Sequence, residues 1–177
     1  PALPLNKLFV FDVKYAGKST SEKLQILRTE LKKLRANTFI MSALDDIAWL
    51  FNIRGNDVSY NPVVIAYALI EEEKATLFIE SEKLTSETKA YLEAEGVSVA
   101  PYLAVYESLR NITSENAVLI DGAKLNQSLY EAIPETCAKR NMMSPVFRLK
   151  SIKNEVELEG VRRAMIKDGV ALTRFFM

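Results

Sequence analysis

Short extended runs of apolar residues alternate along this chain with helical periodicities that carry their own caps, and this alternation leaves few architectures open. Residues 5–13 read as a strand. Ser19 and Glu22 then stand at the spacing of a capping box, with Leu24, Leu27, Leu31 and Leu34 recurring at helical intervals behind them. Residues 38–41, β-branched and aromatic, form a short strand, and Ser42 and Asp45 repeat the capping spacing before a helix that ends near Leu50. Residues 62–70 and 75–80 are strands joined by the acidic turn Glu71-Glu72-Glu73-Lys74, a hairpin pattern. Thr85 or Ser86 caps a helix to Glu95, and Gly96 supplies the left-handed stop. Residues 97–100, 117–121 and 137–143 read as further strands, with helices near 103–111 and 125–133 between them.

Strands alternating with helices predict an α/β sandwich, and the hairpin makes its central sheet mixed. Ser144-Pro145 then breaks the pattern. A long helix follows from about Asn154, with Leu158, Val161, Met165, Leu172 and Phe176 on roughly one face. That helix reads as the start of a second domain, which divides the chain into residues 1–148 and 149–177. An opening at Pro1 and an apolar end at Phe175-Phe176-Met177 read as the ends of a piece of a longer protein. Buried on another surface, the apolar face of the last helix would contribute about 1.5–3 kcal/mol per large side chain, enough to hold a non-physiological contact between copies of the piece.

Composition narrows the function more than the fold. An apolar fraction of 49% against 26% charged supports a packed core. Lys and Arg number 23, as do Asp and Glu, so no net field attracts nucleic acid or an anionic membrane. The uncharged apolar runs are too short to span a bilayer. Lone Cys137 forms no internal disulfide and suits a reducing, cytoplasmic compartment. Above all, there is no histidine. That removes Ser-His and Cys-His nucleophile systems and histidine-containing zinc sites. Carboxylate chemistry, or none, is left.

The densest stretch is Ser42-Ala-Leu-Asp-Asp-Ile-Ala-Trp-Leu-Phe-Asn-Ile-Arg-Gly-Asn-Asp57, followed by Tyr60-Asn61-Pro62. Asp45 and Asp46 fall in the first turn of a helix, where carboxylates complement the dipole. Adjacent helical residues point about 100° apart, so the pair is not expected to share one ion. Trp49 reads as core more readily than as a ligand platform. Arg54, on a loop beside Gly55, fits a carboxylate clamp or interface anchor; it equally fits an ion pair with Asp45, Asp46 or Asp57. No glycine-rich phosphate loop is present.

This stretch, with Asn61-Pro62-Val63, closely resembles the non-catalytic domain of Xaa-Pro aminopeptidases, and specifically the second domain of three-domain members. The run Phe147-Arg-Leu-Lys-Ser-Ile-Lys-Asn-Glu-Val-Glu-Leu-Glu-Gly-Val-Arg-Arg-Ala resembles the start of that family's pita-bread catalytic domain. Together the resemblance spans roughly residues 5–177. It implies a ribonuclease-H-like sandwich of the creatinase N-terminal type, in a metal-dependent exopeptidase that removes the first residue from peptides with proline second. The family holds two divalent metal ions, usually manganese, through two Asp, one His and two Glu of the pita-bread domain. The resemblance therefore implies no catalytic residue, metal ligand or cofactor in this chain itself. Its partners would be the pita-bread domain in cis, an Xaa-Pro peptide and a second copy, with no nucleic acid and no membrane. Trp49, Asn52, Arg54 and Gly55 are its candidate cleft edge: Trp49 as an apolar wall, Arg54 touching substrate or the next domain, and Gly55 letting the backbone turn. Two other parents fit the same residues, a catalytically inactive pita-bread protein using this domain for interaction, and a prolidase.

Overall fold

Alternate residues of the central strands pack into two separate cores. The structure, a computed structural model, describes residues 3–177. In chain order its elements are β1 (Phe9–Val10), α1 (Val13–Ala16), α2 (Thr20–Lys33), β2 (Thr38–Met41), α3 (Leu44–Leu50) and β3 (Ile53–Arg54). The hairpin β4 (Tyr67–Glu71) and β5 (Ala75–Phe78) comes next, then α4 (Ser86–Ala94), β6 (Val97–Ala100), α5 (Ala104–Arg110) and β7 (Ala117–Ile120). The chain continues through α6 (Gln127–Ala132), β8 (Ala138–Asn141), α7 (Pro145–Ser151) and α8 (Glu155–Phe176).

Six strands form one mixed sheet in the order β6-β5-β4-β2-β7-β8. β4 runs antiparallel to both β2 and β5, while β5–β6, β2–β7 and β7–β8 are parallel. Because side chains alternate across a strand, Phe39 and Met41 enter one core and Ile40 the other; Ala68 and Ile70 divide from Leu69 in the same way. Leu24, Leu27 and Leu31 of α2, Ile47 and Leu50 of α3, Leu92 of α4 and Val146 of α7 cover the first face. Val105 and Leu109 of α5 and Leu129 of α6 cover the second, with Cys137 buried among them. The mixed, helix-flanked sandwich expected from the sequence is therefore the observed architecture.

Several caps are those the spacing predicts. Ser19 and Glu22 form a reciprocal capping box at α2, Thr85 caps α4, and Gly96 takes φ 76°. Three local expectations are corrected. Residues 5–13 contain only the two-residue β1, paired with β3 in a small separate sheet, because Asp12 accepts the Lys14 N–H and opens α1 at Val13. Gly17, at φ 72°, closes that single turn. Ser42 does not cap α3: the N-cap is Ala43, without a side-chain bond, and the Ser42 hydroxyl donates to the Lys124 carbonyl at 2.9 Å. Ser144-Pro145 ends the strand pattern yet starts a helix, since proline at the first helical position costs no hydrogen bond. Val146 of that helix is fully buried and Leu149 packs on the first core, so α7 crosses residues 148 and 149 as one packed piece. No residue of α8 is buried.

Candidate functional site

Asp45, Ala48, Trp49 and Arg54 line one wall of a groove about 680 Å³ in volume. Phe11 and Tyr15 border it on one side, Pro62 and Val63 on another, and the first turns of α8 close it through Val156, Glu157 and Val161. Its walls are mainly apolar, and its charged side chains already have partners. Lys14 pairs with Asp12 at 3.2 Å, Lys150 with both Asp45 and Asp46, and Arg163 with Glu159 at 3.6 Å.

Trp49, half-buried at the end of α3, stands between two charges. Its Nε1–H donates to Glu157 Oε1 of α8 at 3.1 Å, and the Lys23 ammonium lies 4.3 Å from the ring centre. It packs on the core and lines the groove at once. Asn52 is 1% exposed, so its side chain faces inward. Its Oδ1 accepts from Lys23 at 2.6 Å, and its Nδ2 donates to the Lys18 carbonyl at 2.9 Å. With φ 49° it also supplies the left-handed turn out of α3, a conformation asparagine tolerates better than most residues.

Arg54 is half-buried, and its guanidinium is taken up within the domain. Nη1 donates to the Ala48 carbonyl at 2.6 Å and the Ile53 carbonyl at 2.9 Å, and the group stacks 4.5 Å from the Phe11 ring centre. Burial lowers its pKa, with Glu157 opposing. It pairs with none of Asp45, Asp46 and Asp57. The unusual backbone angle expected at Gly55 falls at Asn52 instead; a Cβ on Gly55 would stand 2.4 Å from Val64 Cγ1, so the glycine is required for close approach. Asp57 is committed elsewhere, with its Oδ2 accepting from Lys83 at 2.5 Å and from the Ile65 N–H at 2.7 Å, both side chains fully buried.

The two adjacent aspartates are bridged by one lysine ammonium. Lys150 of α7 donates to Asp45 Oδ2 and, at 2.6 Å, to Asp46 Oδ1, while Ser144 donates to Asp46 Oδ2 at 3.0 Å. A long flexible side chain reaching across their shared helical turn supplies what the 100° divergence otherwise denies. Burial opposes the charge of Asp45, but the hydrogen bond and charge of Lys150 outweigh it and hold the carboxyl below its ordinary value. These acids are therefore ion-paired struts between α3 and α7. Among the described residues, no three Cys, Asp or Glu side chains come together in a set able to hold a metal ion. Nor is any helix among them long and apolar enough to cross a membrane. Lys150, Glu157 and Lys23 were the site residues that sequence reasoning missed; their only local sign was the capping spacing of Asn154 and Glu157.

These features define a mixed α/β sandwich with an apolar groove under its departing helix. The chain belongs to the creatinase/prolidase N-terminal domain family, whose model matches residues 1–157. It is 39% identical over 175 residues to Xaa-Pro aminopeptidase 1 of Dictyostelium discoideum, a match that takes in 99% of this chain and 28% of that protein. It is 42% identical over 185 residues to the "Probable Xaa-Pro aminopeptidase P" of Sordaria macrospora, covering 99% of this chain and 30% of that one. Among solved structures, the X-prolyl aminopeptidase of Caenorhabditis elegans, described as a cytosolic enzyme with a di-nuclear active site, superposes with a TM-score of 0.92 at 31% identity, over 99% of this chain and 29% of its own. The chain thus spans less than a third of the length of these relatives. An Xaa-Pro dipeptidase from Bacillus anthracis shares the fold alone, with a TM-score of 0.57 at 14% identity over 80% of this chain and 38% of its own.

Proposed function

We propose that this chain is the non-catalytic domain of a metal-dependent Xaa-Pro aminopeptidase that removes the N-terminal residue from peptides with proline second. The observation that carries the reading is the match to peptidases of that name along 99% of the chain, at 39% identity in sequence and with a TM-score of 0.92 in structure. The domain extends through α7, and α8 leads into a catalytic domain in cis. Two divalent ions, manganese in this reading, would be held by that downstream domain. The present chain supplies no proton transfer and no nucleophile. Its contribution is a wall: the groove edge formed by Trp49, Arg54 and Pro62 limits the depth to which a peptide enters and excludes water from one side of the cleft. Asn52 and Gly55 hold that edge from behind. A homodimer and a cytosolic setting complete the proposal.

The test is hydrolysis of Xaa-Pro peptides with added manganese, by this chain and by its longer parent side by side. Activity in the parent alone is expected. Activity in neither would replace the proposal with an interaction module of an inactive relative, and activity in this chain would overturn the assignment of the chemistry to another domain.

A further inference from the structure

Asn154 and Glu157 begin α8 as a reciprocal capping box: Asn154 Oδ1 accepts the Glu157 N–H at 2.9 Å, and Glu157 Oε2 accepts the Asn154 N–H at 3.0 Å. A cap needs no more than this, yet both side chains spend their remaining capacity on the body of the domain. Asn154 Nδ2 donates to the Ala16 carbonyl of α1 at 2.9 Å, and Glu157 Oε1 accepts from Trp49 Nε1 of α3 at 3.1 Å. The seat for Asn154 is shaped by Gly17, where an added Cβ would lie 2.4 Å from Asn154 Oδ1. Trp49 is in turn fastened from behind by Lys23, which donates to its carbonyl at 2.8 Å and sits over its ring. No residue of α8 is buried, so apolar packing does little to aim this 22-residue helix.

We infer that Gly17, Trp49, Asn154 and Glu157 form a latch that sets the angle at which α8 leaves the domain, and so positions whatever α8 carries. A polar latch suits this task. Its two hydrogen bonds are directional and few, so together they define an orientation without merging α8 into the core. Under the proposed function, on which this role rests for the identity of the domain that α8 leads into, these are positioning residues: they hold the groove wall at a fixed distance from the catalytic domain.

The experiment measures orientation directly. Spin labels at Lys89→Cys on α4 and Ile166→Cys on α8, both exposed positions, are placed in a Cys137→Ser background of the present chain, and their separation is read by pulsed electron resonance. The latched chain is expected to give one narrow distance. Trp49→Phe, which leaves the cap of α8 intact, and Asn154→Ala, which leaves the domain intact, should each broaden it, and the double variant should lose the single distance altogether. A broad distribution in the starting chain, or a narrow one in the double variant with unchanged far-UV circular dichroism, overturns the latch. Should one single variant not fold, the other reports from the opposite side of the contact. Because the measurement needs no peptidase activity, its failure leaves the proposed function standing, and an inactive parent leaves the latch standing.

Discussion

The Lys23 ammonium lies 4.3 Å from the centre of the Trp49 ring and donates to the Trp49 carbonyl at 2.8 Å and to Asn52 Oδ1 at 2.6 Å. Burial pushes this lysine down to about 8; Glu157 pulls it back up, while Arg54 and Lys18 press it further down. In the unfolded chain the group keeps its proton to about 10.5. Between those values the unfolded state binds the extra proton, so this group's contribution to stability rises with pH there. Trp49 is the chain's single tryptophan. Its emission should shift with a midpoint near 8, as the cation leaves the ring, and Lys23→Met should make the profile flat. Unchanged emission through that pH in the unsubstituted chain would show that the ammonium does not titrate there.

Gly55→Ala should destabilise the domain by about 1–3 kcal/mol, the usual cost of overpacking a closed interior. The new methyl meets Val64 Cγ1, on a fully buried side chain too short to swing away. Urea unfolding measures it; a midpoint equal to that of the unsubstituted chain refutes the close-approach role.

Lys150→Met leaves Asp46, 4% exposed, without its cation. Unfolding free energy at neutral pH should fall by about 1–3 kcal/mol, the cost of stranding a buried charged acceptor. The sign with pH follows from Asp45, whose carboxyl Lys150 holds below its ordinary value. Such a group stabilises the fold above the ordinary carboxylate range and loses that contribution as pH falls through its lowered value. The gap between the two proteins should therefore close toward acid. A gap independent of pH would mean that the shared ion pair contributes nothing electrostatic.

In the longer parent, Arg54→Ala should lower kcat/KM on extended Xaa-Pro peptides by about tenfold, equivalent to about 1.4 kcal/mol, with metal content unchanged. The guanidinium ties the ends of α3 and β3 together through the Ala48 and Ile53 carbonyls, so its loss loosens the groove wall rather than the chemistry. Equal kinetics on peptides of every length would refute the wall.

Much of the local structure was legible because its hydrogen bonds close within three or four residues. Ser19 with Glu22, Thr85 at the start of α4 and Gly96 at its end are all of this kind. Residues 5–13 misled for the opposite reason. Their apolar pattern suits a strand, but a strand needs a partner, and β3 offers only Ile53 and Arg54; meanwhile Asp12 and Gly17 bracket a helical turn that satisfies the backbone locally. At the candidate site, Trp49 and Arg54 were identifiable as groove residues from their block, whereas the inward turn of Asn52 was not, because its reason is Lys23, twenty-nine residues earlier.

By itself, then, the order of residues determined most element types, though not those of residues 5–13 and 145–151, together with the mixed sheet flanked by helices and the family to which the chain belongs, since periodicity, caps and a contiguous block are all local properties. Only the tertiary structure decided which charges meet. Lys150 finds Asp45 across 105 residues and Trp49 finds Glu157 across 108. A side chain's partner is set by how distant segments close on one another, and burial then makes that pairing costly to leave unmade.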